Sequence, residues 1–331
     1  MVVFFCGSAV VTMNSYTSVL ASHNQSSSNS NNNNNKIKVV FIMGATGTGK
    51  TKLSIDLATR FSGEIVNSDK IQAYKGLDIA SNKIPEDERR GVPHYLLGIL
   101  EPEEDFTVHD FCNHALMAIN QIIANGHLPI VVGGSNTYIE ALVRDPRANF
   151  DCCFVWMDVS LPVLYKYVGT RIDQMVDDGL VEEVRGMYVP GADYTRGVRR
   201  AIGAPEMDRY FRVERTIQDE GIKRLFLNDA ILEMKENTCK LVDCQLGKIQ
   251  RLRNHQGWEI HRIDATSVFE KYGNKLEVED AWKKKVLKPS LGIVSEFLKK
   301  KNNGVINIGE DQTQFSTTKI PQFQKELSVA N

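Results

Sequence analysis

Residues 44–51 read GATGTGKT, and Asp69 follows in the run NSDK (67–70). Gly44, Gly49, Lys50 and Thr51 satisfy the pattern G-x-x-x-x-G-K-[ST], which is built to hold phosphate. Glycines let a backbone wrap closely around an anion. The N–H groups of Gly44, Ala45, Thr46, Gly47, Thr48 and Gly49 and the N-terminus of the following helix then point at it. Lys50 adds a mobile positive charge, and the Thr51 hydroxyl suits Mg²⁺. The pattern specifies a diphosphate or triphosphate. It leaves the reaction open, because many chemistries use the same cradle. A lone Asp in a turn is more often a cap than a catalyst, so Asp69 gains meaning only if the fold brings it to the cradle.

The elements that carry these residues must deliver them to one edge. KVVFIM (38–43) is a continuous apolar, β-branched run of the kind buried on both faces of a parallel sheet. The helix after the loop places Leu53, Leu57, Ala58 and Phe61 on one stripe. EIVNSD (64–69), LPIVVGGS (128–135), CCFVWMDV (152–159) and HRIDAT (261–266) read as further strands, with helical patterns such as DFCNHALMAINQIIA (110–124) between them. This alternation predicts an α/β fold, a P-loop NTPase-like parallel sheet flanked by helices. The stretch from Glu206 to Lys288 lacks proline, and Cys239, Val242, Leu246 and Ile249 recur at helical spacing within it. It predicts a helical C-terminal appendage, with its helical part at about residues 206–255, packed on the sheet or over the active-site mouth. Ligands of open α/β sheets bind outside the carboxyl ends of the strands. The P-loop, Asp69 and Gly133-Gly134-Ser135 therefore converge on one crevice.

The bulk numbers narrow the class. A chain of 331 residues with 42% hydrophobic and 24% charged residues has room for one large or two modest globular domains. A net charge of −1 gives no global field to recruit nucleic acid. Cys6, Cys112, Cys152, Cys153, Cys239 and Cys244 form no C-x-x-C pair and no zinc spacing, which predicts reduced thiols in an intracellular protein. No apolar run is long enough to span a bilayer. Residues 1–35 contain no Lys, Arg, Asp or Glu and join an apolar patch (VVFFCGSAVV) to the tract SSSNSNNNNN. Two readings of this leader stand. One is a transit peptide, Ser-rich and acid-poor but lacking arginine, which points to a plastid; the other is a disordered leader with no address in a cytoplasmic protein. The predicted domain spans residues 36–301, the lysine triplets at 283–285 and 299–301 read as solvated faces, and 302–331 reads as a loose tail.

Six stretches in order carry a resemblance: MGATGTGKT, NSDKIQAYKGLDIASNKI, GVPHYLLGI, LPIVVGGSNTYIEAL, RIDQMVDDGLVEEV and RRAIGAPE. From about Lys36 to Asp264 the chain resembles the isopentenyltransferase family, most closely its plant adenylate branch, the cytokinin synthases. The resemblance implies prenyl transfer with Mg²⁺. The N6 amine of an adenine attacks C1 of dimethylallyl diphosphate, and diphosphate leaves into the P-loop. This is the first step towards isopentenyladenine-type cytokinins. Asp69 matches the family's base, Thr46 a position near the bridging oxygen, and Arg171 a cation near the diphosphate. Lys83, Ser135 and Tyr138 carry over as substrate-binding positions, although Tyr138 equally suits a core aromatic. Arg199 and Arg200 are candidates for the acceptor phosphates. Lys70 and Gln72 flank the base, and His94 is either a turn residue or a ligand. One departure stands out: where the family reads RQL, this chain reads CQL, with Cys244 at the arginine. That implies weaker diphosphate binding unless Lys240 or Lys248 compensates.

The family's tRNA branch implies a sizeable helical insertion after the GGT-Y motif and often a C-terminal zinc finger. Here only VRDPRANF (143–150) separates the GGS-Y helix from the next strand, and no Cys/His group of zinc spacing exists. A tRNA binder also needs a basic stripe to neutralise phosphates. The expected partners are therefore dimethylallyl diphosphate and a free adenine nucleotide (AMP, ADP or ATP), without tRNA or membrane. A tRNA dimethylallyltransferase, a P-loop small-molecule kinase and a nucleotide-binding module without catalysis are the alternatives.

Overall fold

The computed structural model describes residues 36–300, so the predicted leader and tail lie outside the described residues. Six parallel strands form one sheet in the order β3-β2-β4-β1-β5-β6. They are β1 (Ile37–Gly44), β2 (Gly63–Asn67), β3 (His94–Tyr95), β4 (Leu128–Val132), β5 (Phe150–Asp158) and β6 (Ile260–Asp264). The helices between them are α1 (Lys50–Phe61), α2 (Val108–Ala124), α3 (Asn136–Arg144), α4 (Leu161–Asp177), α5 (Leu180–Gly186), α6 (Ala204–Thr216) and α7 (Glu220–His255). After β6 come α8 (Thr266–Glu270), α9 (Lys275–Ala281), a π-helical turn at Trp282–Leu287 and α10 (Lys288–Lys299). Among the described residues no helix is long and apolar enough to cross a membrane, and no disulfide joins the described cysteines.

Strand β1 lies at the centre, and Val39 to Met43 are fully buried, as a run covered on both faces requires. Helix α1 buries Leu53, Leu57 and Ala58 from the predicted stripe. Register then does the work that matters for function. Asn67 pairs with Val132 across β2 and β4, and Ile42 pairs with Val132 across β1 and β4. The ends of β2 and β4 are therefore level with Ile42, two residues before β1 ends at Gly44, and the loops after all three strands open at the same edge. Ser68 N donates to Val132 O at 2.8 Å, and Gly133 N donates to Ile42 O at 3.4 Å, which fixes the level of both loops.

Strands β2 and β4 stop at Asn67 and Val132, short of the predicted ends at Asp69 and Ser135. The residues beyond turn away to make loops. Strand β3 has two residues and is too short to show a period. The C-terminal region is helical in two pieces, α6 and α7, with a break before Asp219, whose side chain caps α7 by accepting from Ile222 N at 3.1 Å. Helix α7 has 36 residues, about 54 Å at the usual rise. Its buried positions begin only at Ala230 and include Asn237, Thr238, Val242, Gln245, Leu246, Ile249 and Leu252. It packs on α6, α4 and α3 and touches the sheet at β1.

Candidate active site

One cleft opens at the carboxyl edge of the sheet. Its phosphate end is lined by Thr46, Gly47, Gly49, Lys50, Thr51 and Arg171, and Asp69 sits in the same cleft. The P-loop is held open from within. Thr48 Oγ1 and Lys50 Nζ both donate to Ala45 O, at 2.9 and 2.6 Å, so Ala45 and Thr48 hold the turn from behind while their neighbours line the cleft. Gly49 stands at φ 86°, a left-handed conformation that glycine adopts without strain, and it starts α1. The ring of Trp282 packs against Gly49, and its Nε1 donates to Asp56 Oδ2 at 2.8 Å. The π-helical turn thus braces the helix that carries Lys50 and Thr51.

Asp69 is half-buried and firmly oriented. Its Oδ1 accepts from Ile71 N at 3.0 Å, and Gln72 N also donates to the carboxylate. Asn67 buckles the loop, accepting from Asp69 N at 3.0 Å and donating to Asp69 O and Leu96 O, each at 2.9 Å. Gly133 closes the other side: a Cβ there would stand 2.5 Å from Ser68 C and 2.7 Å from Asp69 N, so the two loops touch backbone to backbone only because no side chain intervenes. Burial pushes the Asp69 carboxyl up, and the nearby Lys50 charge and the two backbone donors oppose it. Burial pushes Lys50 down to about 8, with Asp69 opposing and the Arg171 charge reinforcing.

Arg171 projects from α4 into the cleft, and its Nη2 donates to Thr46 Oγ1 at 3.0 Å. Its Nε is buried and has no partner among the described residues. A guanidinium N–H in that condition is one an anionic ligand completes. Burial lowers the Arg171 pKa, yet arginine stays charged in proteins. Lys50, Arg171 and the P-loop amides together make one electropositive pole, with a carboxylate beside it.

Five predicted substrate positions do not line this cleft. Lys83 is turned back on its own loop and donates to Tyr74 O at 2.7 Å and Gly76 O at 3.2 Å, besides pairing with Asp78. Ser135 Oγ accepts from Lys70 N at 3.1 Å, which supports the base loop from outside. Tyr138 is a core aromatic: its ring stacks on Phe111 with centroids 4.5 Å apart, and its hydroxyl donates to Phe106 O at 3.2 Å. Arg199 pairs with Glu103 at 2.8 Å. Arg200 ends a 3₁₀ turn, and its charge is felt by Lys70, Tyr74 and Tyr138, on the flank of the base loop. Gln72 and His94 do line the cleft. Lys240 and Lys248, the expected substitutes for an arginine at Cys244, are engaged with Asn237 at 3.2 Å and Thr137 at 3.1 Å and do not line it either.

Gln245 is the residue that sequence reasoning missed. From α7 its Oε1 accepts from Thr46 N at 2.7 Å, its backbone O accepts from Asn136 Nδ2 at 3.1 Å, and the side chain lines the cleft. A Cβ on Gly134 would lie 2.2 Å from Gln245 Nε2 and 3.6 Å from Asp69 Oδ2, which puts the amide on the base's side of the P-loop. The signal was present as a polar residue on the buried stripe of α7 between Val242 and Leu246. Nothing in the spacing says that the stripe crosses the P-loop at that turn.

The family model described as IPP transferase matches residues 72–150 and 144–250. Adenylate isopentenyltransferase 3 of Arabidopsis thaliana, chloroplastic by name, is 51% identical over 261 residues, covering 77% of each chain. Adenylate isopentenyltransferase 7 of the same plant, mitochondrial by name, is 50% identical over 265 residues, covering 78% of this chain and 80% of its own. The chain belongs to the IPP transferase family. The fold agrees: a solved eukaryotic dimethylallyltransferase acting on tRNA superposes with a TM-score of 0.67 over 80% of each chain, at 24% identity. The motif Lys50 and the half-buried Asp69 share one cleft in this chain.

Proposed function

We propose that the protein transfers the dimethylallyl group of dimethylallyl diphosphate to N6 of a free adenine nucleotide, the first step of isopentenyladenine-type cytokinin synthesis. The observation that carries the reading is a half-buried, oriented carboxylate in the same cleft as a phosphate cradle with two cations. The adenine amine is a weak nucleophile because its lone pair is delocalised into the ring. As the N6–C1 bond forms, the N6 proton passes to Asp69 while the C1–O bond breaks and both its electrons leave with the diphosphate. General-base help of this kind is worth about 10²–10⁴ in rate. The P-loop amides, Lys50 and Arg171 meet the charge that grows on the departing oxygen; removing one such donor typically costs about 10²–10³. Thr46 is fixed between Gln245 and Arg171, which aims the loop at that oxygen.

Mg²⁺ fits the donors present. Thr51 lines the cleft at the start of α1. A magnesium ion with few protein ligands completes its shell from phosphate oxygens and water. When bound it neutralises diphosphate charge; Thr51 is the residue that would hold it.

Free nucleotide is favoured over tRNA by the connection between α3 and β5. Helix α3 ends at Arg144 and β5 starts at Phe150, so no inserted domain stands between them. The names of the relatives support the same acceptor. Incubated with labelled dimethylallyl diphosphate and Mg²⁺, the protein is expected to label AMP, ADP or ATP and to stop when EDTA is added. Label found only in tRNA, or ATP consumed with no prenyl donor present, refutes the reading. The organellar names of the relatives and the Ser-rich, acid-poor residues 1–35 support an organelle, with the plastid as the specific proposal. A fluorescent fusion of the full chain that stays in the cytosol overturns that placement.

A further inference from the structure

The cleft has a second end away from the phosphate cradle, lined by Gln72, Ser81, Asn82, Ile84, His94 and Leu97. With the donor's diphosphate in the P-loop and Asp69 as the base, this is the end left for the nucleotide that Asp69 deprotonates. Its outer wall is the loop at residues 77–84, and two of its lining residues carry a buried polar atom without a partner among the described residues, Ser81 Oγ and His94 Nε2. Buried polar atoms are normally paired, so such atoms on a cleft wall call for a ligand's groups.

What holds the wall lies outside the cleft. The two carboxylate oxygens of Glu183 each accept one N–H of consecutive loop residues, Ile79 N on Oε1 and Ala80 N on Oε2, both at 2.9 Å. Glu183 belongs to α5, a helix with no residue in the cleft lining. That helix is fixed by buried Leu180 and Val184 and by Arg185, which pairs with Glu214 on α6 at 3.1 Å. From the cleft side, Gln72 Nε2 donates to Ser81 O at 3.0 Å and Asn82 O at 3.2 Å. The segment is therefore clamped from two directions, by a charged group behind Ile79 and Ala80 and by a cleft residue next to the base.

We infer that Glu183 is a positioning residue for the nucleotide acceptor: it sets the loop that presents Ser81 to the bound nucleotide. This rests on the reading that a free nucleotide is the acceptor. A carboxylate suits the task because two diverging N–H groups need two acceptor oxygens, and hydrogen bonds to a charged acceptor are the strong ones. Glutamine offers a single oxygen and turns an NH₂ towards the other donor.

Steady-state rates of the full chain, varying nucleotide at saturating donor and then the reverse, test the inference. Glu183→Ala is expected to raise the KM for nucleotide on the order of tenfold, and Glu183→Gln less, with the rise falling on that KM rather than on kcat or the donor KM. Ser81→Ala is expected to raise the same KM. The double variant Glu183→Ala/Ser81→Ala should then go no further than the larger single change, because one residue acts through the other. Unchanged nucleotide KM with a lowered Tm, parallel changes in both KM values, or a fully additive double variant each overturn the inference. If Glu183→Ala does not fold, Glu183→Gln and Ser81→Ala carry the same comparison. A native protein with no nucleotide-dependent rate at all overturns the acceptor reading, and the inference with it; this is distinct from a native enzyme that works while its variants fail the pattern.

Discussion

Replacing Asp69 with asparagine is expected to lower kcat by about 10²–10⁴ while diphosphate binding survives. Asparagine keeps the shape and can still accept from Ile71 N and Gln72 N, so the loop holds its geometry. What it cannot do is take the N6 proton. The loss therefore falls on the chemical step, and calorimetric titration with diphosphate and Mg²⁺ should give an affinity close to that of the native protein. A kcat within a few-fold of native would remove Asp69 from the role of base. Because burial holds this carboxyl above its ordinary value, the native rate should fall on the acid side at a pH above the usual carboxylate range. The base works only when deprotonated, so a raised pKa brings the acid limb closer to neutrality.

Replacing Lys50 with alanine is expected to damage binding and catalysis together, with kcat/KM for the prenyl donor down by about 10²–10³ or more. The ammonium meets phosphate oxygens in the ground state and meets more charge on them as the C1–O bond breaks. The KM should therefore rise and kcat fall in the same variant, a pattern different from that of the Asp69 substitution. The alkaline side of the profile tests the same group. Lys50 is charged below about 8 and neutral above it in the free protein. The donor kcat/KM, which reports the free enzyme, should fall as pH rises through that value. In Lys50→Arg the limb should move beyond the accessible range, since a guanidinium does not lose its proton there. A native profile flat from neutrality to pH about 10 would refute the lowered Lys50 pKa, since a lysine in its ordinary range stays charged to about there.

The two substitutions separate the halves of the site because the halves come from different strand ends. The P-loop follows β1 and the base follows β2, with β4 between them. Their neighbours are mostly dedicated to support: Asn67 and Ser135 hold the base loop, and Gln245 and Trp282 hold the cradle. A variant at any of these acts on the chemistry through geometry.

Much of this was legible in the residues themselves. A local pattern of glycines with Lys50 and Thr51 dictates a phosphate cradle because the loop and helix N-terminus it needs lie within one short segment. A continuous buried run such as Val39–Met43 dictates a central parallel strand for the same reason: the signal and its consequence are both local. Lys83, Arg199 and Arg200 do not line the cleft, and Tyr138 took its core alternative, because a side chain's direction is settled by the partners that packing supplies. Lys83 found the carbonyls of its own loop, Tyr138 found Phe111, and Arg199 found Glu103. Gln245 and Glu183 could be placed only once the helices α7 and α5 had been packed, because their partners stand 199 and 104 residues away. Short-range pattern thus determined the phosphate cradle and the strand that carries it. Long-range packing decided which side chains stand at the substrate, since contact across the cleft depends on helix rotation and depth that no spacing along the chain encodes.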